Sequence, residues 1–425
     1  MSTNLEQINK FREELDKCTK CGFCLYHCPV YREEKYEPSA PRGRIQLVRA
    51  LRSGSLDTTD EMAKKLSKCI LCGACTANCP VSMQVPTVIT AAKADKVKKR
   101  GMNFPYNIVY RYVLPHRRLF GNVVRLASWF QGAFLPKTEG TIRHLAFFLS
   151  ALGAGRHIPQ VAPKFLREIM PEVNDPPPGV PVKMTVGYFT GCVTDFLFPE
   201  LGQKIIHFLN RNGVRVVMPL AQGCCGAPVY LGAGDFETGR RMADANVKAF
   251  EGVDSIITDC ATCASAMIDY EKFLADTDER KKAYEAHAAK IKDITEFLVD
   301  VLKLPASAYH IAEEYKGKTV TWHEPCHLGR YLKVNEQPRQ ILRSSPDIKY
   351  VEMPEADTCC GMGGAFSIYF YELSKKIADR KIANVQSTGA DIVVTDCPGC
   401  EIQLIDGIKR HHLPVQVMHI MELFD

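Results

Sequence analysis

The chain has 425 residues and a formal net charge of +6, with 46% hydrophobic and 24% charged residues. These values are those of an ordinary soluble globular protein with room for two to four domains. No uninterrupted apolar run reaches about 18 residues, so no transmembrane helix is expected. The first residues lack the pattern of a secretory signal peptide, which predicts a cytoplasmic protein, with peripheral binding at the inner face of the membrane left open.

The 18 cysteines are the unusual feature of the composition. Because clustered thiols in a cytoplasmic chain more often bind metal or carry out redox chemistry, a disulfide framework is disfavoured. The charge also has a pattern, since residues 101–171 contain nine basic and only two acidic residues. No nucleic-acid-binding fold accompanies that basic stretch, so a nucleic-acid partner is not expected.

Residues 1–100 contain two copies of one cysteine run, "CTKCGFCLYHCPV" from Cys18 and "CILCGACTANCPV" from Cys69. Both have the spacing C-x2-C-x2-C-x3-C-P, in which three cysteines bind one 4Fe–4S cluster and the fourth binds the neighbouring cluster. Zinc is the alternative, but it commonly takes four ligands as separated pairs. The predicted ligand sets are Cys18, Cys21, Cys24 and Cys79 for one cluster, and Cys69, Cys72, Cys75 and Cys28 for the other.

Between the two runs, "PRGRIQLVRALRSG" has apolar residues at helical spacing and predicts a helix that ends at Gly54. Residues 101–182 form a basic, aromatic helical segment followed by a Pro-rich linker from Pro171 to Val182. Packing against a partner subunit is the favoured interpretation of this segment, and binding to anionic lipid is the alternative. The residues concerned include Arg111, Arg117, Arg118, Arg125 and Trp129.

Beyond this segment the chain repeats itself. Matching cysteines of the two halves are 134, 135 and 137 residues apart, which indicates an internal duplication with domains at 183–315 and 316–425. The first set is Cys192, Cys224, Cys225, Cys260 and Cys263, and the second set is Cys326, Cys359, Cys360, Cys397 and Cys400.

Four short β-branched or aromatic runs, "MTVGYFTGC", "SIITDC", "TVTWHEPC" and "DIVVTDC", each end at one of these cysteines. Helical patterns follow them, so each half is predicted to be an α/β domain with its thiols at the carboxyl ends of parallel strands. The predicted class is α+β overall, with a helical two-cluster ferredoxin-like domain before the duplicated α/β domains.

Each repeat offers five thiols, and soft thiolates select iron–sulfur clusters, zinc or copper(I). An iron–sulfur cluster in one or both repeats is predicted, and structural zinc on four of the five thiols is the alternative. His323 and His327 flank Cys326 and could tune a cluster or carry protons. No dinucleotide fingerprint is evident, so a flavin would lie on another chain.

The patterns C-x31-CCG-x33-C-x2-C at Cys192 and C-x32-CCG-x35-C-x2-C at Cys326 resemble the cysteine-rich CCG domain. Two ferredoxin motifs followed by two such domains are similar to the iron–sulfur subunit of glycolate oxidase and D-lactate dehydrogenase complexes. The stretches "PRGRI", "HEPCHLGR", "CCGMGG" and "DCPGC" fit the same pattern.

This resemblance implies that each five-cysteine set binds one cluster. It also implies a function: an electron-transfer subunit of a flavin-dependent D-lactate or glycolate dehydrogenase, with FAD on a partner subunit and a quinone or another carrier as acceptor. The CCG domain also occurs twice in heterodisulfide reductase catalytic subunits, where unusual clusters cleave a disulfide. Because both cysteine sets are complete here, that catalytic function is the alternative.

Overall fold

The computed structural model describes residues 5–102, 104, 106–134, 137–138, 141–143 and 156–425. In this part of the chain a helical N-terminal domain is followed by a connecting segment and two α/β domains. The predicted α+β class is therefore confirmed. Among the described residues, no helix is both long enough and apolar enough to cross a membrane.

The N-terminal domain consists of short helices packed around two longer ones, α5 and α8. Its helices are α1 (Glu6–Lys10), α2 (Arg12–Asp16), α3 (Phe23–His27), α4 (Pro29–Glu34), α5 (Pro41–Ser53), α6 (Asp60–Ser67), α7 (Ala74–Ala77) and α8 (Val85–Arg100). The predicted helix is α5, and Gly54 ends it in the left-handed conformation. Helices α3 and α7 begin inside the two cysteine runs and lie side by side.

The connecting segment begins with helices and ends with a small antiparallel sheet. It contains α9 (Tyr106–Ile108), a π-helical turn (Val109–Val113), α10 (Arg117–Phe134), β1 (Lys137–Thr138), β2 (Thr141–Arg143) and β3 (His157–Pro159). The backbone N–H of His157 donates a hydrogen bond of 2.7 Å to Asp406 in the second α/β domain. Strand β3 is therefore attached to that domain.

The first α/β domain is built on a five-stranded sheet with the order β4-β6-β5-β7-β8. Its strands are β4 (Val173–Asn174), β5 (Met184–Tyr188), β6 (Val214–Val217), β7 (Ile256–Thr258) and β8 (Ile291–Asp293). Its helices are α11 (Leu166–Ile169), α12 (Cys192–Phe196), α13 (Pro199–Arg211), α14 (Phe236–Ala249), α15 (Ala261–Ile268), α16 (Tyr270–Leu274), α17 (Asp278–Lys290) and α18 (Ile294–Glu296). Strand β4, which lies within the predicted linker, is the antiparallel edge of this otherwise parallel sheet.

The second α/β domain has a fully parallel four-stranded sheet with the order β10-β9-β11-β12. Its strands are β9 (Thr319–Trp322), β10 (Lys349–Val351), β11 (Ile392–Thr395) and β12 (Gln416–His419), and its helices are α19 (Glu336–Ser344), α20 (Phe366–Tyr369), α21 (Tyr371–Ser387) and α22 (Pro398–Arg410). The strand order β6-β5-β7-β8 of the first domain corresponds to β10-β9-β11-β12 here. The duplication inferred from the cysteine spacing is thus repeated in the topology.

The four predicted strands are confirmed as β5, β7, β9 and β11, and a cysteine follows each of them within four residues. Parallel strands carry their carboxyl ends at one edge of a sheet, so each sheet collects its thiols at one edge.

The two sheets share one hydrophobic core. Tyr188 and Phe208 of the first domain belong to the same buried cluster as Trp322, Val394 and Phe424 of the second. The rings of Phe208 and Phe424 contact each other with centroids 6.0 Å apart. The two thiol-bearing edges are therefore held together by packed apolar side chains.

Candidate metal centres

The outer site is the group Cys18, Cys21, Cys24 and Cys79. All four line one pocket between the two cysteine runs, which Cys75 also lines. Cys21 is exposed, and burial raises the pKa of Cys24 to about 11. The pocket therefore combines three thiols of the first run with the last thiol of the second run, close to the protein surface.

The inner site is the group Cys28, Cys69, Cys72 and Cys75, which line a second pocket. Cys28, Cys72 and Cys75 are buried, and burial raises the pKa of all three thiols. The fourth cysteine of each run thus lies with the first three of the other run.

The second α/β domain holds the loop of the inner site. The Tyr331 hydroxyl donates a hydrogen bond of 2.6 Å to the carbonyl oxygen of Leu71, and Arg330 donates one of 3.4 Å to that of Cys72. Gly73 lies under the Tyr331 ring with φ at +71°, and a Cβ atom there would be 3.0 Å from the ring. The loop is therefore fixed to this domain by side-chain contacts, and a side chain at Gly73 would be strained by the positive φ and crowded by the ring.

The first thiol set consists of Cys192, Cys224, Cys225, Cys260 and Cys263. Cys192 begins α12 and Cys260 precedes α15, while the adjacent pair precedes a π-helical turn (Ala227–Ala233). Hydrogen bonds from the thiols of Cys224 and Cys263 lower the pKa of Cys225. Cys225 is consequently the member of this group that carries negative charge most readily.

The second thiol set consists of Cys326, Cys359, Cys360, Cys397 and Cys400. Hydrogen bonds from Cys326 and Cys360 lower the pKa of Cys359, and its sulfur also accepts a bond of 3.4 Å from the Gly361 N–H. The Cys400 thiol is in turn hydrogen-bonded to those of Cys360 and Cys397. All five sulfurs therefore belong to one connected group.

The thiol groups contact one another in a fixed order. Cys72 of the inner site lies in the same buried cluster as Cys359, with Cys326 packed against it. At the other side of the second set, Cys397 is hydrogen-bonded to Cys260 of the first set. The resulting order is outer site, inner site, second set, first set.

The two histidines that flank Cys326 have different surroundings. The Ser265 hydroxyl lies 2.6 Å from Nδ1 of His327, whose ring stacks on Tyr331.

His323 is fully buried, and neither of its ring nitrogens has a hydrogen-bond partner among the described residues. Burial lowers the pKa of His323 to about 3, so its imidazole is neutral. It lies within 4.8 Å of the sulfurs of Cys360 and Cys400.

Buried acidic groups lie behind the junction of the two sets, and the sequence reasoning missed them. Asp259 and Asp396 directly precede Cys260 and Cys397 and are fully buried. His419 lies 2.9 Å from Asp396, and although burial opposes it, that contact raises the pKa of His419. The repeated "TDC" was the available signal, because an aspartate at the end of a buried strand needs a specific partner.

Cysteine sulfurs are the main candidate metal ligands in the outer site, the inner site and both thiol sets. Four thiols at each of two sites suit 4Fe–4S clusters, and the two groups of five buried thiols supply the soft donors that clusters of iron and sulfur require. The residues present therefore fit iron–sulfur cofactors.

The connecting segment packs its basic residues against the first α/β domain. Arg117 pairs with Asp195 at 2.6 Å and Arg111 pairs with Asp235 at 2.8 Å. Arg125 pairs with Glu168. Apolar side chains of the same segment face solvent, among them Leu126 and Trp129 with exposed fractions of 59% and 67%.

Two protein families match the chain. The family described as a 4Fe–4S dicluster domain matches residues 14–83. The family described as a cysteine-rich domain, CCG, matches twice, at residues 186–268 and 320–405. These three matches cover the outer and inner sites and both thiol sets.

Among curated proteins, the chain is 31% identical over 441 residues to a probable glycolate oxidase iron–sulfur subunit of Bacillus subtilis, covering 99% of this chain and 96% of that protein. It is 27% identical to a subunit of the fumarate reductase (CoM/CoB) of Methanothermobacter marburgensis, covering 97% of this chain and 72% of that protein. It is also 32% identical to the lactate utilization protein A of Bacillus pumilus, covering 57% of this chain and 99% of that protein.

The sequence motifs, the thiol groups of the structure and these relatives all indicate an iron–sulfur protein. The chain belongs to the family of glycolate oxidase iron–sulfur subunits, and it is an iron–sulfur electron-transfer subunit of an oxidoreductase.

Proposed function

We propose that this chain takes electrons from a partner FAD subunit that oxidises a 2-hydroxy acid, D-lactate or glycolate, and passes them towards a quinone or another carrier. Oxidation of the acid to the 2-oxo acid releases two electrons and two protons, and the electrons leave the flavin one at a time. The observation that carries the proposal is the continuous order of thiol groups from the outer site to the first set.

Ligand assignments form part of this proposal. Each N-terminal site would hold one 4Fe–4S cluster through its four cysteines, and each five-thiol set would hold a further iron–sulfur cluster. Such clusters supply single-electron transfer when bound. The lining of the two N-terminal pockets supports the exchange of Cys28 and Cys79 between the runs.

The protein's own residues keep the groups at fixed separations. Arg330 and Tyr331 hold the inner loop on the second domain, and the shared core holds the two α/β domains together. Burial of the inner thiols excludes water, which lowers the energy needed to reorganise the surroundings when charge moves.

Two surfaces suit partner proteins. Near the outer site, Phe23 and Tyr26 are exposed by 64% and 70% beside the exposed Cys21. Helix α10 is anchored next to the first set by Arg117 and presents Leu126 and Trp129 to solvent. Exposed aromatic and aliphatic side chains of this kind are enriched at protein interfaces. With the electron donor bound at the outer site and the acceptor bound at α10, the two partners lie at opposite ends of the order of thiol groups.

The test is anaerobic purification of the tagged chain with its bound partners, followed by visible spectra before and after addition of D-lactate or glycolate. Bleaching of the cluster absorbance by one acid, in a preparation that contains flavin, is the expected result and identifies the substrate. Clusters that stay oxidised with both acids in a flavin-containing preparation would contradict the proposal.

Disulfide reduction is the second candidate function. The specific observation in its favour is that both five-thiol sets are complete and meet at Cys260 and Cys397. It predicts that chemically reduced clusters are reoxidised by an added disulfide, with two electrons and two protons converting the disulfide to two thiols.

A further inference from the structure

The two α/β domains differ at one position beside their thiols. Phe189 directly follows β5 in the first domain, and His323 directly follows β9 in the second. The backbone N–H of Phe189 donates to Ile257 at 2.8 Å, and that of His323 donates to Val394 at 2.9 Å. These acceptors occupy matching places in β7 and β11, so the two side chains occupy equivalent positions.

Phe189 has an ordinary apolar role in the first domain. Its ring is fully buried in the cluster that also contains Cys224 and Cys225, and it contacts Phe250 with ring centroids 6.0 Å apart. The position therefore lies beside the thiol group but offers it no donor atom. Packing alone is a sufficient reason for a phenylalanine here.

Packing is not a sufficient reason for a histidine at the equivalent place. His323 is as buried as Phe189, yet both of its nitrogens lack a hydrogen-bond partner among the described residues. Leaving buried polar atoms unpaired is unfavourable, so two unpaired ring nitrogens beside a group of thiols indicate a contact with a ligand, ion or water at that place. The nearest candidates for that ligand are atoms bound by Cys360 and Cys400, whose sulfurs lie within 4.8 Å.

We propose that one ring nitrogen of His323 is a ligand to an iron of the cluster in the second α/β domain, so that this cluster has mixed sulfur and nitrogen ligation. The proposal rests on the proposed function in requiring an iron–sulfur cluster there. Neutral imidazole is the form that binds metals. Among the described residues, the group of ligand atoms that lie within 4.8 Å of one another contains His323 with Cys360 and Cys400, and it does not contain His327.

Mixed ligation makes the two α/β clusters unequal. A neutral nitrogen donor adds no negative charge, and replacing thiolates by histidines raises the reduction potential of iron–sulfur centres. The second-domain cluster therefore has the higher potential of the two, and the Phe189 environment keeps the first-domain cluster fully sulfur-ligated.

The test uses the full chain, purified anaerobically after growth with ¹⁵N-labelled histidine and with unlabelled histidine. Pulsed electron paramagnetic resonance of the reduced clusters is expected to show a nitrogen coupling that changes on histidine labelling. The variant His323→Phe, which copies the first domain, should lose this coupling and lower the potential of one cluster. The matched control His327→Phe should retain the coupling, because the group of ligand atoms with Cys360 and Cys400 contains His323 and not His327.

Iron and sulfide analysis separates the outcomes. Full cluster content in the wild type without a histidine-dependent coupling would overturn the ligand proposal and leave the electron-transfer function intact. Iron that stops at about eight atoms per chain, the content of two 4Fe–4S clusters, would overturn both the cluster and its ligand. Should His323→Phe fail to fold, the labelled wild type decides the question, with His323→Cys as the second variant.

Discussion

The first and second α/β domains have the same strand order around their thiols but different neighbours. The second set contacts the inner site through Cys72 and the Arg330–Tyr331 pair, whereas the first set lies beside the anchored start of helix α10. A duplicated fold thus provides two similar thiol groups, and the surrounding chain gives each a different position in the order. Topology alone does not determine what each copy does.

The largest expected effect comes from removing one central thiol from each domain. Cys359→Ser should lower the rate of substrate-driven reduction of the first-set cluster by about 100-fold or more, because the second set lies between the first-set cluster and the inner site. This loss is larger than the cost of removing a residue that only hydrogen-bonds to a metal ligand. Cys225→Ser should leave reduction of the second-set cluster unchanged. Rapid-freeze Mössbauer spectra after substrate addition measure both, and equal effects of the two variants would contradict the order.

A smaller loss is expected within the N-terminal domain. Cys28→Ser should remove about four of the iron atoms by damaging the inner cluster, since a 4Fe–4S cluster needs its fourth thiolate. The outer cluster should remain in the spectrum. Cys79→Ser is the matched control and should remove the outer cluster instead. Loss of the Cys18, Cys21 and Cys24 cluster in Cys28→Ser would refute the ligand exchange between the runs.

The contact between the inner loop and the second domain is tested by two alanine substitutions. Gly54 and Gly73 both have positive φ, at +76° and +71°, but nothing lies within 4 Å of a Cβ at Gly54. Gly54→Ala should cost about 1 kcal/mol from backbone strain alone. Gly73→Ala should cost about 1–3 kcal/mol more, because its methyl group meets the Tyr331 ring. Denaturant unfolding measures the difference, and equal costs would mean that the ring moves freely.

The smallest effect is expected from the removal of a single hydroxyl oxygen. Tyr331→Phe removes the hydrogen bond to Leu71 and should lower the free energy of unfolding by about 1 kcal/mol. It should also speed the release of inner-cluster iron to a chelator. Tyr112→Phe is the control, because Tyr112 is 59% exposed. Similar chelation rates in both variants would show that Tyr331 does not secure the loop.

Local patterns made much of the fold and site predictable. The helix that ends at Gly54 and the strands that lead to Cys192 and Cys326 follow from side-chain periodicity and turn residues. The family, the iron–sulfur chemistry and the duplication follow from cysteine spacing. Each of these signals lies within a few tens of residues, or repeats at a nearly constant offset of 134 to 137 residues.

Features that depend on packing between distant segments were not predictable. The contact between Cys260 and Cys397 joins two strand ends 137 residues apart, and the bond from Tyr331 to Leu71 spans 260 residues. Strand β4 was expected to be linker because it lies in the Pro-rich stretch from Pro171 to Val182, and only its pairing with β6 makes it part of the sheet. No periodicity within a single segment encodes such pairings.

The core shared by the two sheets has a consequence for how the protein unfolds. Because Phe208 packs against Tyr309 and Phe424, removal of the second half would expose apolar surface of the first half to water. The halves are therefore expected to melt in one cooperative transition, and neither is expected to be stable as a separately expressed fragment. Phe208→Ala, which should cost about 3–5 kcal/mol, would then lower the melting temperature of both halves together. The two halves of the duplication are therefore expected to behave as a single unfolding unit.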